Sequence, residues 1–241
     1  NRFYSKDALG QETHSEYDSL GRLIRTTDEL DRVTEFGYDA NGNIKSLKQW
    51  GLQVNGSNPI DDLRYTYSEN SNKLKNVVDF NNDEQTKLTD FRTSANSPNK
   101  NSKNNYVANQ GSVDINTITD YTYDVNGNLK NDLNKDMGTS SGEEIVYNYQ
   151  NLPQVITIKP AGGTLKGTIT YTYDAAGNKL KKVVEDKSTS GRTITTTTTF
   201  MGGLVYESKT PAPADANDYT NKLQFIGHEE GRTRYIAADG S

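Results

Sequence analysis

The sequence predicts an all-β fold of stacked antiparallel hairpins, and three observations predict it. Nearly the same stretch recurs: EFGYDANGNIKSL at 35–47, DYTYDVNGNLKNDL at 120–133 and TYTYDAAGNKLKKVV at 170–184. Each copy carries two aromatic residues spaced by two: Phe36/Tyr38, Tyr65/Tyr67, Tyr121/Tyr123, Tyr147/Tyr149 and Tyr171/Tyr173. That spacing puts both rings on one face of a strand. A turn signal follows at once, in DSLGR (18–22), DANGN (39–43), DVNGN (124–128) and DAAGN (174–178).

The first two units align without a gap at a period of 21. Asp7, Leu9, Thr13, Tyr17, Asp18, Gly21 and Leu23 correspond to Asp28, Leu30, Thr34, Tyr38, Asp39, Gly42 and Ile44. Later units are anchored in this reading at Tyr67, Tyr123, Tyr149 and Tyr173. The long step from Tyr67 to Tyr123 is expected to hide a missing or degraded unit plus an inserted loop. Asn-Gly at 41–42 and 126–127 predicts tight hairpin turns, because both residues tolerate positive φ. The preceding Asp is placed to accept backbone N–H groups of the turn. An apolar strand comes next: Ile44/Leu47, Leu74/Val77, Leu129/Leu133, Leu180/Val183. In YSENSNKL (67–74), Ser68 and Ser71 replace Asp and Gly; in YNYQNLPQVI (147–156), Pro153 stands where the turn Gly is expected. Both predict an altered turn and not a lost strand.

A single hairpin cannot bury its aromatic face. Successive copies therefore have to cover one another, which explains the repetition by packing. TITTTTTF (193–200), GGLVYES (202–208) and KLQFIG (222–227) read as further strands. Residues 94–105 and 209–219 read as exposed loops, since they are small, polar and unpatterned. No amphipathic helix is evident, and 82–92 is expected to make at most a turn or two. The whole of 1–241 reads as one repeat array.

Composition excludes several functions. The net charge is −5 with Lys and Arg dispersed, which argues against nucleic acid and against anionic membrane surfaces. No apolar run approaches the roughly 20 residues of a spanning helix, so no membrane insertion is expected. Zero Cys removes disulfides, thiol chemistry and Cys-based zinc sites. Only 32% of residues are hydrophobic, but 15 tyrosines supply burial, and mean hydropathy is −0.88. No signal peptide is visible, and the chain begins inside a repeat, as an excised piece of a longer protein would.

The motifs YDSLGRL, YDANGNI, YDVNGNL and YDAAGNKL resemble the YD repeat of bacterial Rhs-family proteins. LQFIGHEEGRTRY (223–235) is similar to the segment near the end of that array, which assigns 200–235 to the end of the array. The resemblance spans about residues 3–235. It implies a β-sheet that spirals into part of a hollow shell, as also in teneurins, enclosing C-terminal cargo such as a toxin on a secreted or cell-surface protein. The implied partners are the remainder of the same polypeptide, with secretion machinery or surface glycans as others. The family's DPxG-type self-cleavage motif is absent: the chain ends IAADGS, and Asp239-Gly240 lacks the proline.

Candidate reactive residues were weighed against plainer roles. The DANGN turns do not match a calcium loop, because Gly42 falls at position 4 and Trp50 stands where Glu is needed. His14 reads as a solvent-face residue. His228-Glu229-Glu230 lacks HExxH spacing, and adjacent strand side chains point to opposite faces. Asp61/Asp62 and Glu143/Glu144 read as adjacent acids near loops, and Asn55-Gly56-Ser57 fits a glycosylation sequon. No catalytic, cofactor-binding or metal residue is assigned, no cofactor is expected, and the chain reads as non-catalytic. The alternative is an adhesion or carbohydrate-binding module that uses the repeated aromatics.

Overall fold

Short β-branched and aromatic runs punctuated by five-residue turns lay the chain out as antiparallel meanders. A computed structural model describes residues 2–53, 56–81, 90–111, 114–138 and 145–234. Two compact units are present, 1–121 and 122–241.

The first unit holds a seven-stranded sheet in sequence order: β1 (Arg2–Lys6), β2 (Glu12–Tyr17), β3 (Leu23–Thr27), β4 (Val33–Tyr38), β5 (Ile44–Gln53), β6 (Gly56–Tyr67) and β7 (Leu74–Asp79). None of the side chains of β1 to β4 is buried. The core gathers instead under β6 and β7, where Ile60, Leu63, Val77 and Val78 are buried.

The second unit centres on an eight-stranded sheet, again in sequence order: β10 (Val146–Tyr147), β11 (Pro153–Ile158), β12 (Gly167–Tyr173), β13 (Lys179–Asp186), β14 (Thr193–Met201), β15 (Leu204–Ala212), β16 (Tyr219–His228) and β17 (Gly231–Arg234). A small pair precedes it, β8 (Tyr121–Tyr123) with β9 (Leu129–Asp132). The three strands expected after residue 193 are therefore β14, β15 and β16.

The tight hairpin turns expected at Asn-Gly are present, and each is longer than two residues. In the Asp18 turn, Asp18 N–H donates to Arg22 O at 2.9 Å and Gly21 N–H donates to Asp18 O at 3.2 Å. Asp39 and Asn43 repeat this pattern, and only Gly42 has positive φ (89°); Asn41 does not. These are three-residue loops, a type I turn closed by one left-handed residue, and they carry a bulge. The register slips beside Tyr17, Tyr38, Tyr67, Tyr147 and Tyr173. The bulge takes up the odd residue of the three-residue loop.

Two further expectations, the Tyr149 anchor and the place of Pro153 in the turn, are corrected, and the altered turn expected after Tyr67 is found. The turn after β10 runs from Asn148 to Leu152, so its anchor is Tyr147 and not Tyr149. Asn151, at φ 58°, holds the left-handed position, and Pro153 opens β11. The turn at 68–73 keeps both strands but is one residue longer, with Asn70 at φ 52°.

Residues 94–105 are an exposed loop only in part: α1 (Lys100–Ala108) starts there, and Ser97 and Lys103 are buried. Neither is 209–219 wholly loop, since 209–212 lie in β15, with Pro211 buried, and Tyr219 opens β16.

The inserted segment is held by polar contacts. Asp120 N–H donates to Lys75 O (2.8 Å), and an Asp120 oxygen accepts from Val77 N–H (3.3 Å). One aspartate thus meets the backbone groups that β7 leaves unpaired at its edge, a device that blunts a sheet edge. Lys103 Nζ lies 2.6 Å from the same carboxylate, with both side chains buried. Asn99 Nδ2 donates to the other oxygen (2.9 Å), Asn76 Nδ2 donates to Ile118 O (2.9 Å), and Tyr106 meets Phe80 edge to face at 5.4 Å.

Candidate functional site

The repeated Tyr-Asp pair is the best-defined constellation in the chain, and its chemistry is local. In the Asp39 turn, Oδ1 accepts from the N–H groups of Asn41 (2.9 Å) and Asn43 (2.8 Å), while Oδ2 accepts from Asn43 Nδ2 (3.0 Å). Asp124 and Asp174 repeat this with Asn128 and Asn178; Asp18 uses the backbone of Leu20 and Arg22 and the Arg22 guanidinium. The Asn43, Asn128 and Asn178 amides hold the carboxyls of Asp39, Asp124 and Asp174 below the usual carboxylate range, and the Arg22 backbone does so for Asp18. Both oxygens are engaged by turn donors, which is turn stabilisation.

Four of the tyrosines that stand immediately before a turn reach back to the hairpin before it. Tyr38 donates its hydroxyl to Leu23 O (2.7 Å), Tyr67 to Ile44 O (2.8 Å), Tyr147 to Leu129 O (2.9 Å) and Tyr173 to Pro153 O (2.9 Å). Each acceptor is the fifth residue after the first residue of the preceding turn. The Tyr171 and Tyr173 rings sit 6.1 Å apart, on one face as the spacing of two requires. A phenol pairs here an apolar body with a satisfied hydroxyl, which explains why Tyr and not Phe ends the strand.

Side chains also tie one turn to the next. Arg22 donates to Asp39 O (3.0 Å), Asn43 to Asn72 Oδ1 (2.9 Å), Asn126 and Asn128 to Asn151 Oδ1 (3.0 and 2.9 Å), and Gln150 to Ala175 O (2.8 Å). Within each unit this is a ladder of turns at the strand ends.

A second constellation was not foreseen. Asp61 of β6, Asp79 of β7 and Asp90 of the insertion bring carboxylate oxygens within 4.8 Å of one another. Asp61 and Asp62 lie in the middle of a strand and not near a loop, which corrects the earlier expectation. Alternation sends Asp61 inward, where Phe91 N–H donates to it (2.7 Å), while Asp62 pairs with Lys48 and Arg64. Asp79 Oδ1 accepts from the N–H groups of Asp62 and Asn81; its buried Oδ2 has no hydrogen-bond partner. Burial, more than the neighbouring acids, pushes the Asp79 carboxyl up to about 6 and raises Asp61. Numbers 61, 79 and 90 share no spacing motif, so no sequence signal marks the group.

The raised Asp79 value has a consequence with a definite sign. The folded state binds this proton more tightly than the unfolded chain, where the value is 3.8. The group's stabilising contribution is full below pH 3.8 and is lost as pH rises through about 6. Asp79→Asn is expected to remove that loss and to stabilise the first unit at neutral pH by about 1–2 kcal/mol, allowing for partial solvent screening. Urea unfolding of variant and wild type at pH values on either side of the window checks it; an unchanged difference between them refutes it. The turn aspartates act oppositely, losing their contribution as pH falls through their depressed values.

The histidines stay apart from both constellations. His14 is exposed on β2 with its ring 5.3 Å from Tyr4, and His228, Glu229 and Glu230 are exposed at the β16–β17 turn. Asn55, Glu143, Glu144, Asp239, Gly240 and most of the 82–92 segment lie outside the described residues.

These features define an all-β repeat protein whose repeated residues form inter-hairpin contacts. The repeat resembles that of Rhs-family YD-repeat proteins: residues 17–51, from the end of β2 into β5, match the family model described as RHS Repeat. Among curated proteins none matches the chain. Among solved structures, the crystal structure of TcdB2-TccC3-Cdc42 aligns at 13% identity with TM-score 0.34, covering 94% of this chain and 14% of that one. A mutant Photorhabdus luminescens Tc holotoxin pore aligns at 15% identity with TM-score 0.33 and the same coverage. The chain thus spans 14% of the length of these solved chains. Among the described residues no helix is long and apolar enough to cross a membrane.

Proposed function

We propose that the chain is a non-catalytic wall segment of a larger Rhs-type protein, with both units belonging to one array that continues a spiral β-sheet shell. The shell encloses or scaffolds C-terminal cargo such as a toxin, and the parent protein is secreted or displayed on the cell surface. One observation carries this reading: the repeated motif spends its polar atoms on the neighbouring hairpin, from Tyr38 to Leu23 and from Tyr173 to Pro153. A motif repeated for catalysis or ligand capture would keep those groups available. The partners are the rest of the same polypeptide and its cargo.

A second reading, a carbohydrate-binding or adhesion module, is favoured by Tyr149, which is 85% exposed at a turn tip. Tyr171→Ala and Tyr149→Ala separate the two when tested on a glycan array and by urea unfolding. The wall reading expects no glycan signal, a loss of about 2 kcal/mol for the half-buried Tyr171 and almost none for Tyr149. A glycan signal lost in Tyr149→Ala with stability intact overturns it. Protease protection of the segment that follows the array in the full-length protein tests enclosure directly.

A further inference from the structure

Two Asn-Gly pairs occupy equivalent places in turns that are otherwise alike. In the Asp39 and Asp124 turns the glycine N–H donates to the Asp carbonyl at 3.1 Å, and glycine φ is 89° and 88°. Asn41 and Asn126 both donate their backbone N–H to the Asp carboxylate at 2.9 Å, and both are exposed. They differ in one respect. Asn126 Nδ2 donates to Asn151 Oδ1 on the next turn at 3.0 Å, whereas the Asn41 amide makes no hydrogen bond among the described residues.

We propose that Asn41 is a site of spontaneous deamidation, and that the turn ladder protects Asn126 from the same reaction. The Gly42 backbone nitrogen attacks Asn41 Cγ; the new C–N bond closes a five-membered succinimide. The bond from Cγ to Nδ2 breaks, and ammonia leaves carrying the Gly42 amide proton. Water then adds to either ring carbonyl and reopens it as aspartate or isoaspartate. Nothing is oxidised or reduced, and the only co-reactant is solvent water. Glycine favours the attack because no Cβ shields its nitrogen, and a Cβ placed on Gly42 would meet only open space.

The attack requires the Asn side chain to swing its carbonyl carbon onto the next nitrogen. Asn41 is free to do so. Asn126 must first give up its bond to Asn151. The bond from Gly N–H to Asp O is lost in both turns, so it cancels from the comparison. The outcome matters for the wall. Isoaspartate carries the backbone through the former side chain, lengthening the main chain in the turn that sets the β4–β5 register. It also adds a negative charge beside the Asp39 carboxylate, next to the Asn43 to Asn72 bridge.

The test is peptide mapping for isoaspartate after ageing the folded protein at mildly alkaline pH. Asn41 is expected to convert roughly three- to tenfold faster than Asn126, the rate equivalent of one net hydrogen bond. Asn151→Gly suits the left-handed backbone at φ 58° and removes the acceptor, so Asn126 should rise to the Asn41 rate. In urea-unfolded protein the two rates should converge, because DANGN and DVNGN are nearly the same sequence. Equal rates in the folded protein, or a difference that persists in urea, overturn the proposal. An Asn126 rate unmoved in folded Asn151→Gly overturns the protective role of the ladder.

Discussion

Lys103→Ala is expected to destabilise the first unit by about 3–5 kcal/mol, the range for breaking a buried ion pair from one side. Lys103 and Asp120 are 4% and 0% exposed, and their charged atoms lie 2.6 Å apart. Without the ammonium, Asp120 keeps Asn99 Nδ2 and the Val77 N–H, but no opposite charge in a dry place. Two dipoles do not replace a counter-ion there. The insertion would then release the β7 edge, so hydrogen exchange at Val77 should accelerate together with the loss seen in urea. The double change Lys103→Met with Asp120→Leu should cost less than Lys103→Ala alone, because no orphaned charge remains. A loss below about 1 kcal/mol for Lys103→Ala would place the pair effectively in water.

Gly167→Ala is expected to cost about 3 kcal/mol or more in the second unit. Gly167 sits in β12 between Ile158 and Asp186, and an added Cβ would overlap the backbone carbonyl oxygen of Glu185. A backbone atom of a paired strand cannot rotate away, so the β12–β13 ladder itself must spread. Gly37→Ala is the control. There the Cβ would meet the Ser46 hydroxyl, whose side chain can turn aside, and about 1 kcal/mol is expected. Urea midpoints of the two variants decide it: equal losses would mean that the β12–β13 strands are not held as tightly as their register indicates.

Both effects lie where sequence reading is weakest. The insertion reads as an exposed loop in the sequence because KNSKNNYVA has no apolar period, and its composition is that of a solvated segment. What folds it is a charge from α1 meeting a carboxylate from residue 120, and pairing of that kind leaves no trace in hydrophobic periodicity. Gly167 has the same character. Its requirement comes from a strand about 20 residues away and not from its own neighbours. The Asp61, Asp79 and Asp90 group is likewise assembled from two strands and the insertion.

The hairpins themselves were legible because their causes are local. A spacing of two for aromatic rings, a left-handed residue closing the turn and an Asp that folds onto the next N–H groups all act within a handful of residues. Even there the turn type was not legible: Asn-Gly permits positive φ at both residues, whereas one at Gly42 suffices and the bulge beside Tyr38 takes up the rest. The misplaced anchor at Tyr149 had a related cause: in YNY either tyrosine fits the pattern, and the Asn148–Leu152 turn and the Tyr147 bond to Leu129 distinguish them.

The chain's own order of residues was enough to specify an all-β protein of repeated hairpins with polar turns, since each hairpin is encoded within about 20 residues. Only the tertiary structure decided which tyrosine clamps which carbonyl, where three carboxylates meet and what covers the β7 edge. Those contacts join residues far apart along the chain. Their energies depend on burial and mutual distance, which no local pattern of residue types can express.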